Sequence, residues 1–171
     1  MTGSVSAKLK ELGIELPAAA APAANYVPYM RTGNLILTAG QLPLANGHLI
    51  STGLLGRDLD ATAGHAAARQ CAINILAQLH AATGDLDKIS RLVKITVFVA
   101  STTDFTTQHL VANGASDLLA AVFGDRDVIV GGGELGAQEQ AVRRHVVDNQ
   151  HPTRHPATSP RGARPRPVMR L

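Results

Sequence analysis

Three glycines in the C-terminal part of the chain have the spacing of a phosphate-binding loop. Gly131, Gly133 and Gly136 form G-x-G-x-x-G after an apolar run at 128–130, and 137–149 has the composition of a following helix. A dinucleotide loop also needs a second strand and an acidic residue about 20 positions later. Beyond 149 the chain is rich in proline and arginine instead. A turn or an accidental pattern is therefore the better interpretation.

The other reactive side chains favour structural roles. Cys71 lies on an apolar helical face, where core packing is expected rather than nucleophilic chemistry. The seven histidines lack the spacing of metal ligands, so no metal site is predicted. Asp104 and Asp60 are placed to cap helices, and Asp58 is expected to be structural as well.

Length and composition predict one domain, or one domain with an appendage. The chain has 171 residues, 45% of them hydrophobic, and a single cysteine, which suits a reducing compartment. It shows neither the apolar core of a signal peptide nor a run of about 20 apolar residues for a membrane span. We therefore expect a cytoplasmic protein without membrane contact.

The periodicity of the first half predicts four elements. Residues 5–13 favour a short helix that ends at Gly13, and 34–41 favour a strand. Asn46-Gly47 is a strong hairpin signal. Asp60 predicts the N-cap of a long helix that ends at Gly84. The predicted buried face of this helix consists of Ala68, Cys71, Ala72, Ile75, Leu76 and Leu79.

The second half completes the predicted fold. Residues 93–99 alternate at period two, which indicates a strand with one buried face. Asp104 is expected to cap a second long helix ending at Phe123, with Asn113-Gly114 as a potential break. A short strand at 128–130 would follow. The element order predicts an α+β domain with two helices on one face of a sheet.

Three motifs lie between residues 17 and 125: GNLILTAGQLP from Gly33, GDLDKISRLVKITVFV from Gly84, and NGASDLLAAVFG from Asn113. Together they resemble the RidA (YjgF-like) family of reactive-intermediate deaminases, in the subgroup with the NGASDLL helix. The resemblance implies a chorismate-mutase-like mixed sheet and a homotrimer with clefts between subunits. It also implies hydrolysis of enamines and imines to 2-oxo acids and ammonia without a metal or cofactor.

The resemblance also implies substrate-binding residues. Tyr26 occupies the position of the family's pocket tyrosine, and Gly40 with Gln41 matches its GQ turn. Ala39 stands where a serine is usual. From the second long helix, either Asn113 or Ser116 would line the cleft. The expected ligand is a 2-imino acid or a related molecule at the subunit interface.

The last ~45 residues depart from the family pattern. Gly131 occupies the position of the family's carboxylate-clamping arginine, and Arg126 lies about five residues too early. If GEL at 133–135 answers the family's ELP and AVRRHVV at 141–147 answers its last strand, Arg143 stands where the family has a glutamate. These differences predict degenerate C-terminal strands and impaired hydrolysis, with the catalytic residues unknown. A non-catalytic trimeric small-molecule-binding protein is the alternative.

The chain is thus divided into an N-terminal helix and linker (1–16), a RidA-like domain (17–149) and an Arg/Pro-rich tail (150–171). The tail contains five of the nine prolines, and its composition predicts disorder. Its arginines leave RNA binding as a further alternative, although no aromatic residue follows Phe123 to stack on bases. Out-of-frame translation of a GC-rich gene gives the same composition, so a frameshift within 126–171 remains an open interpretation.

Overall fold

A computed structural model of the protein describes residues 4–124, 129–135 and 145–148. A 3₁₀ turn at Leu86–Lys88 precedes the strand at Arg91–Ala100. The helices and strands are, in chain order, α1 (Val5–Glu11), β1 (Tyr29–Thr32), β2 (Leu35–Thr38), β3 (Leu44–Ala45), β4 (His48–Leu49), α2 (Ala61–Thr83), β5 (Arg91–Ala100), α3 (Gln108–Phe123), β6 (Ile129–Leu135) and β7 (His145–Asp148).

The described strands form one five-stranded sheet and one small hairpin. The sheet order is β1-β2-β7-β5-β6, and β3 pairs only with β4. All neighbours in the sheet are antiparallel except β5 and β6, which are parallel. Helices α2 and α3 pack against each other, α2 next to β2 and α3 next to β5 and β6. The predicted α+β fold, with a mixed sheet and two long helices, is confirmed.

The C-terminal segment forms more strand than the sequence predicted: the strand expected at 128–130 is described from Ile129 and continues to Leu135 as β6. Gly131 and Gly133 lie within β6, paired with Thr96 and Phe98 of β5, so they are not part of a turn. The predicted helix over 137–149 is wrong at His145–Asp148, which form β7 between β2 and β5. The three glycines weaken the strand propensity of β6, which main-chain hydrogen bonds to β5 stabilise nonetheless, whereas the two valines of β7 favour a strand. Gly136 and the tail at 150–171 lie outside the described residues.

Helix α2 is the central element of the core. The Asp60 carboxylate accepts a hydrogen bond from the amide of Ala63 at 2.8 Å, and Gly84 ends the helix in the left-handed conformation (φ 71°). Both predicted ends are confirmed, and the six predicted apolar positions are all buried. The helix is buried on all sides from Cys71 to Leu79, because α3, the sheet and the N-terminal linker surround it. No helix in the described part of the chain is long and apolar enough to cross a membrane.

Strand β5 follows the predicted alternation over most of its length. Ile95, Val97 and Val99 are buried as expected. Val93 is only partly buried, whereas its neighbour Leu92 is 3% exposed. The register between β5 and β7 shifts between Leu92 and Lys94, which indicates a bulge. A bulge inserts one residue and so changes which side chains face the core.

Helix α3 begins later than predicted. Asp104 does not cap it: the N-cap is Thr107, whose side chain makes no capping bond. Instead, a hydrogen bond from Thr102 lowers the pKa of the Asp104 carboxyl. The Asn113-Gly114 pair does not break the helix, because α3 crosses α2 there. A Cβ atom at Gly114 would overlap the main-chain carbonyl oxygen of His65, so glycine permits this close approach.

Candidate functional site

One end of the β1–β2 hairpin brings three of the predicted site residues together. Tyr29 pairs with Thr38, and beyond this pair the amide of Ala39 donates to the carbonyl of Pro28 at 2.8 Å. Tyr26 precedes this contact, and Gly40 and Gln41 follow it, so all three lie at the same end of the hairpin. The Tyr26 side chain is 46% exposed. A partly exposed aromatic ring beside a glycine turn can form one wall of a small-molecule pocket.

The segment 39–44, which we call the GQ loop, is held mainly by polar contacts. The Gln41 side-chain amide donates to the carbonyl of Ala39 at 3.4 Å. Asn74 of α2 donates to the carbonyls of Leu42 and Leu44, each at 2.9 Å. Sequence reasoning missed Asn74, although a polar residue within an otherwise apolar helix was the available signal.

The sheet places Gly131 level with the start of the GQ loop. Leu37, Val146, Lys94 and Ile129 are successive partners across β2, β7, β5 and β6. Strands β2, β5 and β6 run in the same direction, since β7 is antiparallel to both β2 and β5. Ala39 and Gly131 therefore each lie two residues beyond this row. The three strand spacings between them correspond to roughly 14 Å.

Gly131 also lies on the sheet face opposite the two long helices. Parallel partners share a face, and Gly131 pairs with Thr96. The neighbours of Thr96, Ile95 and Val97, are buried on the helix side. The helix-free face is therefore where a side chain at position 131 would project. Arg126 and Arg143, the other two positions that depart from the family pattern, lie outside the described residues.

The remaining two predicted site residues lie elsewhere in the chain. Asn113 is exposed on α3, and the Ser116 hydroxyl donates to the Asn113 carbonyl at 3.4 Å. Helix α3 packs chiefly against α2, α1, β5 and β6, on the opposite half of the sheet from the β1–β2 hairpin. A single chain thus does not unite these residues with Tyr26 and Gln41. They could meet only across a contact between two subunits.

Cys71 and Asp58 have structural surroundings. Cys71 is 5% exposed, as expected for a core residue, and borders a half-open pocket of about 170 Å³ between α2 and β5. The Asp58 carboxylate accepts hydrogen bonds from Arg57 (2.8 Å) and from the amide of Leu54 (2.9 Å). The Arg57 hydrogen bond, followed by that of Leu54, lowers the pKa of Asp58 to about 2. Within the described ranges, histidine, cysteine and acidic side chains form no cluster that could hold a metal ion.

A family model and a related protein both match most of this chain. The family model described as "YjgF/chorismate_mutase-like, putative endoribonuclease" matches residues 6–129. Protein TCP17 of Trypanosoma cruzi is 52% identical over 124 residues, which cover 72% of this chain and 78% of that protein.

Two solved structures are similar to this chain in both sequence and fold. Atu1372 of Agrobacterium tumefaciens, a protein of unknown function, is 42% identical with a TM-score of 0.75, covering 86% of this chain and 94% of its own. A putative endoribonuclease of Shewanella oneidensis MR-1 is 28% identical with a TM-score of 0.77, covering 85% and 99%.

Proposed function

Because the chain belongs to the YjgF/chorismate mutase-like family, we propose that it binds 2-imino acids and hydrolyses them slowly. In this reaction water adds to the imine carbon, the carbon–nitrogen bond breaks, and a 2-oxo acid and ammonia are released. The observation that carries the proposal is the fixed GQ loop beside Tyr26, level with position 131 on the same sheet.

The proposed role of each residue follows from its chemistry. Main-chain groups of Gly40 and Gln41 hold the reacting water, and Tyr26 forms an aromatic wall against the ligand. An arginine would bind the ligand's carboxylate through two parallel hydrogen bonds, but position 131 is glycine. Turnover is therefore expected to be weak, since the anionic end of the ligand lacks its strongest partner.

To test the proposal, an imine is generated in situ from leucine by an amino-acid oxidase. Its hydrolysis is measured as the decay of the imine absorbance. The full-length protein should accelerate this decay above the spontaneous rate. If the protein binds the matching 2-oxo acid saturably but does not accelerate the decay, its function is ligand binding without catalysis. Absence of both acceleration and binding would exclude the proposal.

RNA cleavage is less well supported by the charges of the chain. A protein that binds RNA neutralises phosphates with an excess of lysine and arginine. Residues 1–124 contain eight basic and eight acidic side chains, so this part of the chain provides no such excess. Sequencing the coding DNA from codon 120 onward would show whether the arginines beyond it belong to the natural reading frame.

We further propose that the protein assembles as a homotrimer through an apolar edge at β1 and the loops next to it. Strand β1 is at the end of the described sheet, and an exposed row of apolar side chains at a sheet edge favours association. Between residues 26 and 50, the large hydrophobic side chains that are 45–57% exposed, which we call the apolar edge, are Tyr26, Val27, Met30, Leu42, Leu49 and Ile50.

Replacing Met30 by glutamate should weaken this assembly. The Met30 side chain is 56% exposed in the single chain, and burying an unpaired carboxylate in an interface is costly. Sedimentation equilibrium should show trimers for the wild type and mainly monomers for Met30→Glu. The matched control is Leu12→Glu, since Leu12 is 36% exposed at the end of α1, away from this edge. Equal masses for both variants would argue against the apolar edge as the interface.

A further inference from the structure

Asn74 is a buried amide in the middle of α2 with all its hydrogen-bonding groups used. Its side chain is 6% exposed. The Nδ2 group donates both hydrogens, to the carbonyls of Leu42 and Leu44 at 2.9 Å each. Its Oδ1 atom accepts a hydrogen bond from the Gln70 side chain at 3.1 Å. A buried amide is tolerated only when its partners are in place, so this network specifies one arrangement.

The GQ loop depends on this network more than on its own apolar side chains. The Leu42 side chain is 53% exposed, so it contributes little burial. Gln70 adds a second donor to the Leu44 carbonyl at 3.0 Å. At the other end of the loop, the amide of Ala39 is held by the Pro28 carbonyl at 2.8 Å. Main-chain hydrogen bonds from the amide of Leu44 to Leu42 (2.8 Å) and from the amide of Ile50 to Pro43 (3.0 Å) complete the attachment at 42–44. Gly40 and Gln41 lie between the two attachments, and the polar side chains of α2 join this part of the chain to the helix.

We infer that Asn74 is a positioning residue for Gly40 and Gln41, acting through the carbonyls of Leu42 and Leu44. This inference rests on the proposed function, in which the GQ loop holds the reacting water. Misplacement of a reacting group by about 1 Å can lower turnover on the order of 100-fold. A change at Asn74 should therefore lower kcat more than it raises KM, since Tyr26, the proposed wall against the ligand, is unchanged.

Gln78 provides a matched control on the same helix. Its side chain is 1% exposed and donates to the carbonyl of Ala20 at 2.7 Å, which anchors the N-terminal linker instead of the GQ loop. Asn74→Leu and Gln78→Met each replace a buried amide by an apolar side chain of similar size. Gln78→Met removes the side-chain donor to the Ala20 carbonyl. Asn74→Leu removes two donors, but the Leu44 carbonyl keeps Gln70 and the Leu42 carbonyl keeps the amide of Leu44. Each variant thus loses buried hydrogen bonds to an irregular segment, and both should destabilise the fold.

The experiment compares imine hydrolysis and hydrogen exchange in the two variants. For Asn74→Leu, kcat per folded protein should fall roughly 10- to 100-fold with KM little changed. The amides of Gly40 and Gln41 should also exchange faster. For Gln78→Met, kcat and the exchange rates of the Gly40 and Gln41 amides should stay close to the wild-type values. If Asn74→Leu does not fold, Gln70→Leu removes one donor to Leu44 and should show the same effects at smaller size.

The outcomes separate this inference from the proposed function. If the wild type does not hydrolyse the imine, the proposed function fails, while exchange at Gly40 and Gln41 still reports whether Asn74 orders the loop. Unchanged exchange at these two amides in Asn74→Leu would overturn the inference. Equal loss of kcat in Asn74→Leu and Gln78→Met would also overturn it, because general destabilisation would then explain both.

Discussion

Replacing Gly114 by alanine is expected to lower the free energy of unfolding by about 2 kcal/mol, since overlap with a main-chain atom puts the overpacking cost at the upper end of about 1–3 kcal/mol and helix propensity returns about 1 kcal/mol. The added Cβ atom would overlap the carbonyl oxygen of His65, which belongs to the α2 main chain. Relief requires the two helices to move apart. The gain in helix propensity, about 1 kcal/mol from glycine to alanine, is too small to compensate.

Gly64→Ala is the control for this change. Gly64 lies on α2 near the same helix crossing, but there the Cβ would meet side-chain ends, Leu55 Cδ2 at 2.8 Å and Val111 Cγ2 at 3.0 Å. These groups can rotate away, so the propensity gain should keep the net change within about 1 kcal/mol. Urea denaturation of both variants measures the difference. A Gly114→Ala protein as stable as Gly64→Ala would show that the helices separate easily.

Introducing arginine at position 131 is expected to raise kcat/KM for 2-imino acids about 10- to 100-fold. A charged hydrogen bond contributes about 1.5–3 kcal/mol, and 1.4 kcal/mol corresponds to a factor of ten. Gly131 lies on the helix-free face of β6, level with the start of the GQ loop. A guanidinium there could reach the carboxylate of a ligand held between β6 and the loop. Steady-state imine hydrolysis by Gly131→Arg and wild type provides the measurement.

Gly133→Arg separates geometry from charge. Gly133 lies on the same face of β6, paired with Phe98, but two residues farther along, or roughly 7 Å. It adds the same charge and should leave kcat/KM near the wild-type value. Gly131→Lys provides the charge without the planar pair of donors and should give a smaller gain. An equal increase in all three variants would indicate general electrostatic attraction instead of a carboxylate clamp.

Local sequence signals predicted those parts of the fold in which a side chain contacts residues close to it in the sequence. Asp60 and Gly84 marked the ends of α2 because a cap bonds to its own helix. The period-two pattern of β5 predicted its buried face until the bulge near Val93. The prediction of Asp104 as a helix cap was wrong. Its carboxylate accepts a hydrogen bond from Thr102, which is also a local contact, and α3 begins at Gln108.

The sequence by itself determined the family and the α+β fold, and it predicted Tyr26, Gly40 and Gln41 as site residues. Those motifs are local, and their residue types are characteristic. Only the tertiary structure decided that Gly131 and Gly133 lie in a strand, because the partner that stabilises β6 is β5, some 35 residues earlier in the chain. It likewise decided that Asn74 holds the GQ loop, since this contact joins residues 30–32 positions apart. Long-range hydrogen bonds of this kind leave no periodic signal in either segment.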